Sequence, residues 1–245
     1  MKKLLLLFGV VLKTAFAATI TVAVASNFAS PVRELVAAFE KSSGNKVQIA
    51  SGGTGALVAQ ISNGAPYQIF LAADQASVRQ LVLQKLAVAN TQYTYAIGQV
   101  VLWSSNPQLV DPDGKVLLTN KYMHLAIANP KLAPYGAAGL QVLRYYKLES
   151  AMQSKLVTGE NINSTYQFIA SGNAELGFVA LSQVVYDGKL SHGGSMWLIP
   201  SSVVPGIKQD AVLLSKGSDS KAARAFLDYL KNPATKQIIN RYGYK

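Results

Sequence analysis

The stretch that decides the fold is residues 19–55, which read TITVAVASNFASPVRELVAAFEKSSGNKVQIASGGTG. A β-rich run over 19–25 precedes residues 31–41, whose apolar positions are spaced for one face of a helix. Two serines and Gly44 end that helix, and residues 46–50 read as a second strand. The stretch therefore predicts a strand–helix–strand unit that ends in a glycine-rich turn.

The same alternation continues along the chain and predicts an α/β protein with helices on both faces of its sheets. Further strands are predicted at 68–72, 95–104, 125–129, 155–157, 176–179 and 211–214, and further helices at 56–63, 75–84, 137–146, 165–170, 222–230 and 235–241.

The long predicted strand at 95–104 lies where the chain would cross into a second sheet. We therefore expect two lobes, each a mixed β-sheet flanked by helices. The ligand is expected in the interlobe cleft, because α/β folds bind ligands outside the carboxyl ends of their strands. Lobe 1 is expected to comprise residues 18–97 and 206–245, and lobe 2 residues 98–205. Hinge strands are expected near 95–98 and 204–209.

The first 17 residues have the pattern of a secretory signal peptide, with two lysines, an apolar run and Ala15-Phe16-Ala17. Cleavage near Ala17 lowers the basic count from 23 to 20 against 12 acidic residues, so the net charge falls from +11 to +8. An uncleaved membrane anchor is the alternative. We expect an exported, soluble, periplasmic protein.

Composition excludes several kinds of chemistry. The sequence has no cysteine, which excludes disulfides, cysteine–zinc sites and thiol nucleophiles. The two histidines, His124 and His192, lie in unlike contexts and are expected to be structural or on the surface. Asp74 is expected to cap the helix at 75–84, although it follows a strand and is also a candidate acid or ligand. No nucleophile–base pattern is visible, so we expect neither an enzyme nor a cofactor.

The basic residues are scattered singly along the chain. There is no run of like charges and no interleaving of basic and aromatic residues of the kind that binds nucleic acid. The excess charge is therefore expected to favour solubility and a mild attraction for anions.

Four predicted turns from strand to helix are rich in glycine, hydroxyl and amide residues. They lie at residues 25–31, 51–55, 133–137 and 160–165. Free N–H groups at helix N-termini bind anions, and glycine allows a ligand to approach the backbone. Taken singly, Ser26 or Asn27 also fits an ordinary N-cap, and a glycine-rich turn fits backbone geometry alone. The four turns together, two in each lobe, favour an anion site in the cleft.

At these turns the sequence resembles the periplasmic molybdate-binding proteins of molybdate ABC importers. The resemblance lies in the motifs Ala25-Ser26-Asn27, Gly52–Gly55, Gly64-Ala65-Pro66 with Phe70–Asp74, Pro134-Tyr135-Gly136, Ala225–Leu230 and Arg241–Tyr244. It covers essentially the whole mature chain. It implies a two-lobed type II periplasmic binding protein that delivers molybdate, and tungstate with it, to a membrane permease.

The resemblance also implies the ligand-binding residues, which hold the oxyanion with hydroxyl and backbone N–H groups. Carried over by position, they are Ser26, Asn27, Thr54, Tyr135 and the backbone of Ile162. Ser51 and Gly53 remain alternatives to Thr54 in the second turn. Molybdenum enters only as the bound oxyanion, no other cofactor is implied, and a monomer that does not bind nucleic acid is expected. The alternative functions are the same fold binding another oxyanion such as sulfate or phosphate, and a secreted enzyme without recognisable catalytic residues.

The sequence departs from the family at two positions. One branch of the family has a ligating tyrosine where this chain has Ala180, and Tyr135 is expected to replace that contact. Gln68 stands where the family usually has an aspartate, which we interpret as a difference in packing.

Overall fold

A computed structural model describes residues 17–245, so the predicted signal peptide falls almost entirely outside the described residues. Within this range no helix has both the length and the apolar character needed to cross a bilayer. The described chain forms two five-stranded mixed sheets and one short hairpin. This architecture confirms the predicted two-lobed α/β fold.

The first sheet has the strand order β2-β1-β3-β12-β4 and defines lobe 1. Its strands are β1 (Thr19–Ala25), β2 (Lys46–Gly52), β3 (Ile69–Leu71), β4 (Tyr93–Gly98) and β12 (Ile207–Leu213). Strands β2, β1 and β3 are parallel, whereas β12 runs antiparallel to both β3 and β4.

The second sheet has the order β11-β5-β8-β6-β7 and defines lobe 2. Its strands are β5 (Val100–Ser104), β6 (Leu125–Ala128), β7 (Leu156–Gly159), β8 (Leu176–Ala180) and β11 (Ser195–Leu198). Strands β7, β6 and β8 are parallel, and β5 is antiparallel to β8 and β11. Strands β9 (Val185–Tyr186) and β10 (Lys189–Leu190) form the separate hairpin.

Helices cover both faces of each sheet. They are α1 (Ala29–Ser43), α2 (Thr54–Ser62), α3 (Ala76–Leu83), α4 (Pro134–Tyr145), α5 (Glu149–Met152), α6 (Ile162–Ala170), α7 (Leu181–Val184), α8 (Lys221–Tyr229) and α9 (Pro233–Arg241). Strand β1 shows why both faces are needed. Its Ile20 and Val24 pack in the core with Phe226, while Ala23 faces Leu57 in another core.

Two sequence expectations differ from the structure. The expected strand at 95–104 is two strands, β4 and β5, which belong to different sheets. The break falls at Gln99, between Gly98 and Val100, because the chain leaves one lobe there and enters the other. Strand β11 was not predicted at all, since its four residues, SMWL, are too short to show a period.

Candidate functional site

The four predicted turns converge on one cavity between the two sheets. The residues that line it are Ala25, Ser26, Asn27, Gly53, Thr54, Ala73, Ala133, Pro134, Tyr135 and Ile162. The cavity is small. All five residues expected to bind a ligand are among the lining residues, and within residues 17–245 none of the lining side chains carries a charge.

Ser26 and Asn27 lie in a single 3-10 turn that joins β1 to α1, and both are buried. Neither side chain caps a helix, so the N-cap alternative is wrong for this turn. The Ser26 hydroxyl instead donates across the cleft to Asn161 Oδ1 at 3.3 Å. The turn therefore presents a hydroxyl to lobe 2.

The second turn places Thr54 at the first position of α2, after an extended Gly53. Thr54 is buried, and its Oγ1 accepts a hydrogen bond from the Ala73 N–H at 3.3 Å, which leaves the hydroxyl hydrogen to donate elsewhere. The first N–H groups of a helix have no partner within that helix. Gly53 also lines the cavity, whereas Ser51 is exposed at the end of β2 and does not.

Lobe 2 contributes the N-termini of α4 and α6. Tyr135 is the second residue of α4 and follows a proline, which has no N–H. Ile162 is the first residue of α6, and Asn161 before it forms a capping box with Ser164. Asn161 Oδ1 accepts from the N–H groups of Asn163 and Ser164 at 2.9 and 3.2 Å, so the Ile162 N–H is not taken up by the cap.

A buried polar network lies beside the cavity. Asn27 Nδ2 donates to Gln209 Oε1 at 2.8 Å and to the Tyr244 hydroxyl at 2.9 Å. Gln209 Nε2 donates to the Tyr135 hydroxyl at 3.0 Å, and Tyr95 donates to Gln209 Oε1 at 3.1 Å. The network therefore joins expected ligand-binding residues of both lobes.

Burial extends the pH range in which this network is uncharged far into the alkaline region. Desolvation holds the pKa values of the Tyr95 and Tyr135 hydroxyls well above their ordinary value, and neighbouring tyrosines add to the effect. Burial also raises the pKa of Tyr244 to about 12. All three hydroxyls therefore remain protonated near neutral pH.

Direct contacts hold the two lobes together at the cavity. The Gly55 N–H donates to the Leu132 carbonyl at 2.9 Å, and the Ser182 hydroxyl donates to the Asn27 carbonyl at 2.9 Å. A Cβ added at Gly55 would lie 3.1 Å from Leu132 Cα and 3.2 Å from its carbonyl oxygen. Position 55 is therefore a tight contact between the lobes, where a side chain would press on Leu132.

Several residues around the cavity were not found by reasoning from sequence. Gln209, Tyr95, Tyr244 and Ser182 lie far from the turns in the chain and show no local pattern. Two signals pointed near them: Tyr95 and Gln209 lie in the expected hinge strands, and Tyr244 belongs to the C-terminal motif on which the family resemblance rests.

Three residues singled out from sequence lie outside the cavity lining. Asp74 accepts from the Ser77 N–H at 2.7 Å and so binds the first turn of α3, but it lies one residue before the N-cap, which is Gln75 and not Asp74 as expected. His124 and His192 are both exposed. Within the described range no group of acidic, histidine or cysteine side chains is arranged to hold a metal ion.

Residues 20–245 match the family model of bacterial extracellular solute-binding proteins. The chain belongs to this family. As a solute-binding protein it has the fold of its relatives: it superimposes on the solved periplasmic molybdate-binding protein of Azotobacter vinelandii with a TM-score of 0.89 and 40% identity, over 92% of this chain and 98% of that one.

Two relatives of this solute-binding protein are similar over nearly their whole length. The molybdate-binding protein ModA of Azotobacter vinelandii is 50% identical over 96% of this chain and 93% of its own. The molybdate-binding protein ModA of Rhodobacter capsulatus is 45% identical over 98% of this chain and 93% of its own.

Proposed function

We propose that this protein captures molybdate, and tungstate with it, outside the cytoplasm and delivers it to the membrane permease of an ABC importer. The observation that carries the proposal is the convergence of four strand-to-helix turns, two from each lobe, on one small cavity lined by neutral groups. The two ModA relatives named above support molybdate as the ligand.

Neutral donors suit reversible capture of a doubly charged anion. Burying an ion without compensation is very costly, and hydrogen bonds to a charged group are stronger than neutral ones. The Ser26 and Thr54 hydroxyls together with N–H groups at positions 54, 135 and 162 supply such bonds, and helix dipoles add to them. Without a fixed positive charge in the lining, the anion is held by geometry and is released when the lobes separate.

Size then selects among oxyanions. Sulfate is smaller than molybdate and cannot reach all donors of both lobes at once, whereas tungstate is nearly the same size as molybdate. We therefore propose a preference for the two larger anions over sulfate and phosphate.

The remaining features belong to the same proposal. The lobe boundaries fall at 97/98 and 205/206, close to where β4 ends at Gly98 and β12 begins at Ile207. The protein acts in the periplasm after cleavage near Ala17, as a monomer, without catalysis, without a cofactor and without binding nucleic acid. Lobe closure about β4 and β12 presents the loaded form to the permease.

A thermal-shift experiment on residues 18–245 tests the ligand. Each of molybdate, tungstate, sulfate and phosphate is added at about 1 mM, which is about a thousandfold above a micromolar dissociation constant and stabilises a specific complex by about 4 kcal/mol. We expect a rise in Tm of several degrees with molybdate and tungstate and little change with sulfate. Equal shifts with all four anions, or none, would contradict the proposal.

A further inference from the structure

The side chain of Gln209 lies at the centre of the buried network and touches both lobes. It is fully buried on β12, the strand that returns from lobe 2 to lobe 1. Its Oε1 accepts from Asn27 and Tyr95 of lobe 1, and its Nε2 donates to Tyr135 of lobe 2. One amide thus bridges expected ligand-binding residues of both lobes.

The strand is irregular at this position. The pairing of β12 with β4 shifts register between Gln209 and Asp210, as in a β-bulge, which bends a strand and redirects its side chains. The Asp210 carboxylate is buried and accepts from Thr94 Oγ1 at 2.6 Å and Gln92 Nε2 at 2.7 Å. These bonds anchor the bulge within lobe 1 and leave Gln209 facing the cleft.

The neighbouring strand makes room for the contact with Tyr135. A Cβ added at Gly98 would lie 2.0 Å from the Tyr135 hydroxyl oxygen and 2.4 Å from Gln209 Nε2. Gly98 is also the last residue of β4, where the chain leaves lobe 1. The bond between Gln209 and Tyr135 therefore spans the point about which the lobes would move.

Neighbouring side chains set the direction of the hydrogen bond between Gln209 and Tyr135, in which Gln209 is the donor. Asn27 Nδ2 faces Gln209 Oε1, so turning the Gln209 amide alone would bring two N–H donors together. Gln209 Nε2 is consequently directed at Tyr135. Separation of the lobes would exchange this bond for bonds to water, and because an intramolecular hydrogen bond is modestly favourable on balance, the bond favours the closed form.

We propose that Gln209 is a positioning residue of the oxyanion site: it holds Asn27 of lobe 1 and Tyr135 of lobe 2 in the closed arrangement and slows release of the anion. This inference rests on the proposed function. Without the bond between Gln209 and Tyr135 the closed form is less stable relative to the open form, so a smaller fraction of the protein can hold the anion. The apparent affinity for the anion falls in the same proportion.

The test measures molybdate dissociation constants and dissociation rates for the wild type, Gln209→Met, Tyr135→Phe and the double variant. Loss of one buried hydrogen bond is expected to raise Kd about tenfold or more in Gln209→Met, mainly through faster dissociation. If Gln209 acts through Tyr135, the effects of the two substitutions on the binding free energy are not additive. The double variant then binds molybdate little worse than the single variant that has the higher Kd. A Kd for Gln209→Met equal to that of the wild type, or effects that multiply, would overturn the inference.

Two further variants separate positioning from folding. Thr235→Val removes a buried bond to the Tyr229 carbonyl at 2.8 Å in lobe 1, outside the cavity lining and the network, and is expected to lower Tm while leaving Kd unchanged. Gln209→Asn keeps a neutral amide but shortens the side chain by one methylene, so it is expected to lose the bond to Tyr135 and provides the second test if the methionine variant does not fold. A wild type that binds neither molybdate nor tungstate overturns the proposed function and this inference with it, whereas normal wild-type binding with an unaffected Gln209→Met overturns the inference alone.

Discussion

The two lobes share one topology but contribute different chemistry to the cavity. The orders β2-β1-β3-β12-β4 and β7-β6-β8-β5-β11 correspond strand for strand. In each lobe the cavity is entered by the turn after the second strand of this order, β1 or β6, and by the turn after the edge strand beside it, β2 or β7. Lobe 1 supplies the hydroxyls of Ser26 and Thr54 there, whereas Ile162 of lobe 2 has no polar side chain.

This difference indicates which kind of group in each lobe binds the anion. The hydroxyls of lobe 1 are side-chain donors, and substitution removes them directly. Ile162 contributes through backbone groups at the start of α6, which its side chain does not change. Substitutions in lobe 1 should therefore lower affinity much more than a conservative substitution at Ile162, provided that the lobes still close.

Blocking closure should have the largest effect. In Gly55→Val the added carbons press on Leu132, whose atoms lie 3.1–3.2 Å from an ideal Cβ at this position. The donors of lobe 2 then no longer reach the ligand, and we expect Kd for molybdate to rise on the order of a hundredfold or more by calorimetry. Gly52→Ala is the control, because its Cβ meets nothing closer than 3.5 Å. Equal affinity in Gly55→Val and Gly52→Ala would show that closure is not needed.

Removing the hydroxyls of lobe 1 should have the next largest effect. A hydrogen bond to a charged group contributes about 1.5–3 kcal/mol, so Ser26→Ala and Thr54→Val should each raise Kd about tenfold to a hundredfold. Ser30→Ala, an exposed position on α1, serves as the control. If Ser26→Ala bound molybdate as tightly as Ser30→Ala, the assignment of Ser26 to the site would fail.

The buried tyrosines that join the lobes predict a loss of stability at alkaline pH. The raised pKa values of Tyr95, Tyr135 and Tyr244 mean that the folded protein keeps protons that the unfolded chain releases above about pH 10. Their contribution is complete below that pH and is lost as pH rises further, so Tm should fall between about pH 9 and pH 12. Tyr135→Phe should show a shallower fall of Tm with pH than the wild type. An equal slope would argue against a contribution of Tyr135 to the loss of stability at alkaline pH.

The smallest effect is expected at Ile162. Ile162→Val preserves the backbone N–H and the cap formed by Asn161, so Kd should change by no more than about threefold while stability falls by about 1 kcal/mol. The measurement is calorimetry with molybdate beside thermal unfolding without ligand. A loss of affinity as large as that in Ser26→Ala would contradict the expectation that Ile162 binds the anion through its backbone alone.

The sequence predicted the turns well because each is a local pattern. The strands and helices placed the turns, the family resemblance selected Ser26, Asn27, Thr54, Tyr135 and Ile162 within them, and the cavity brings all five together. The break at Gln99 was missed because the apolar pattern runs on through it, and which sheet a strand joins depends on distant partners.

The polar network could not be predicted for a related reason. Asn27 meets Gln209 and Tyr244 across 182 and 217 residues of chain. A buried amide on a strand shows no periodicity of its own, and the bulge that aims it is a feature of strand pairing. Contacts of this kind become visible only once both lobes are assembled.

The central claim is that one oxyanion is held between the lobes by the four turns. Diffraction from crystals grown with tungstate, recorded at the tungsten absorption edge, tests it most directly. The account predicts one strong anomalous peak within hydrogen-bonding reach of Ser26, Thr54 and the N-termini of α4 and α6. A peak elsewhere, or none in the cavity at saturating tungstate, would contradict it.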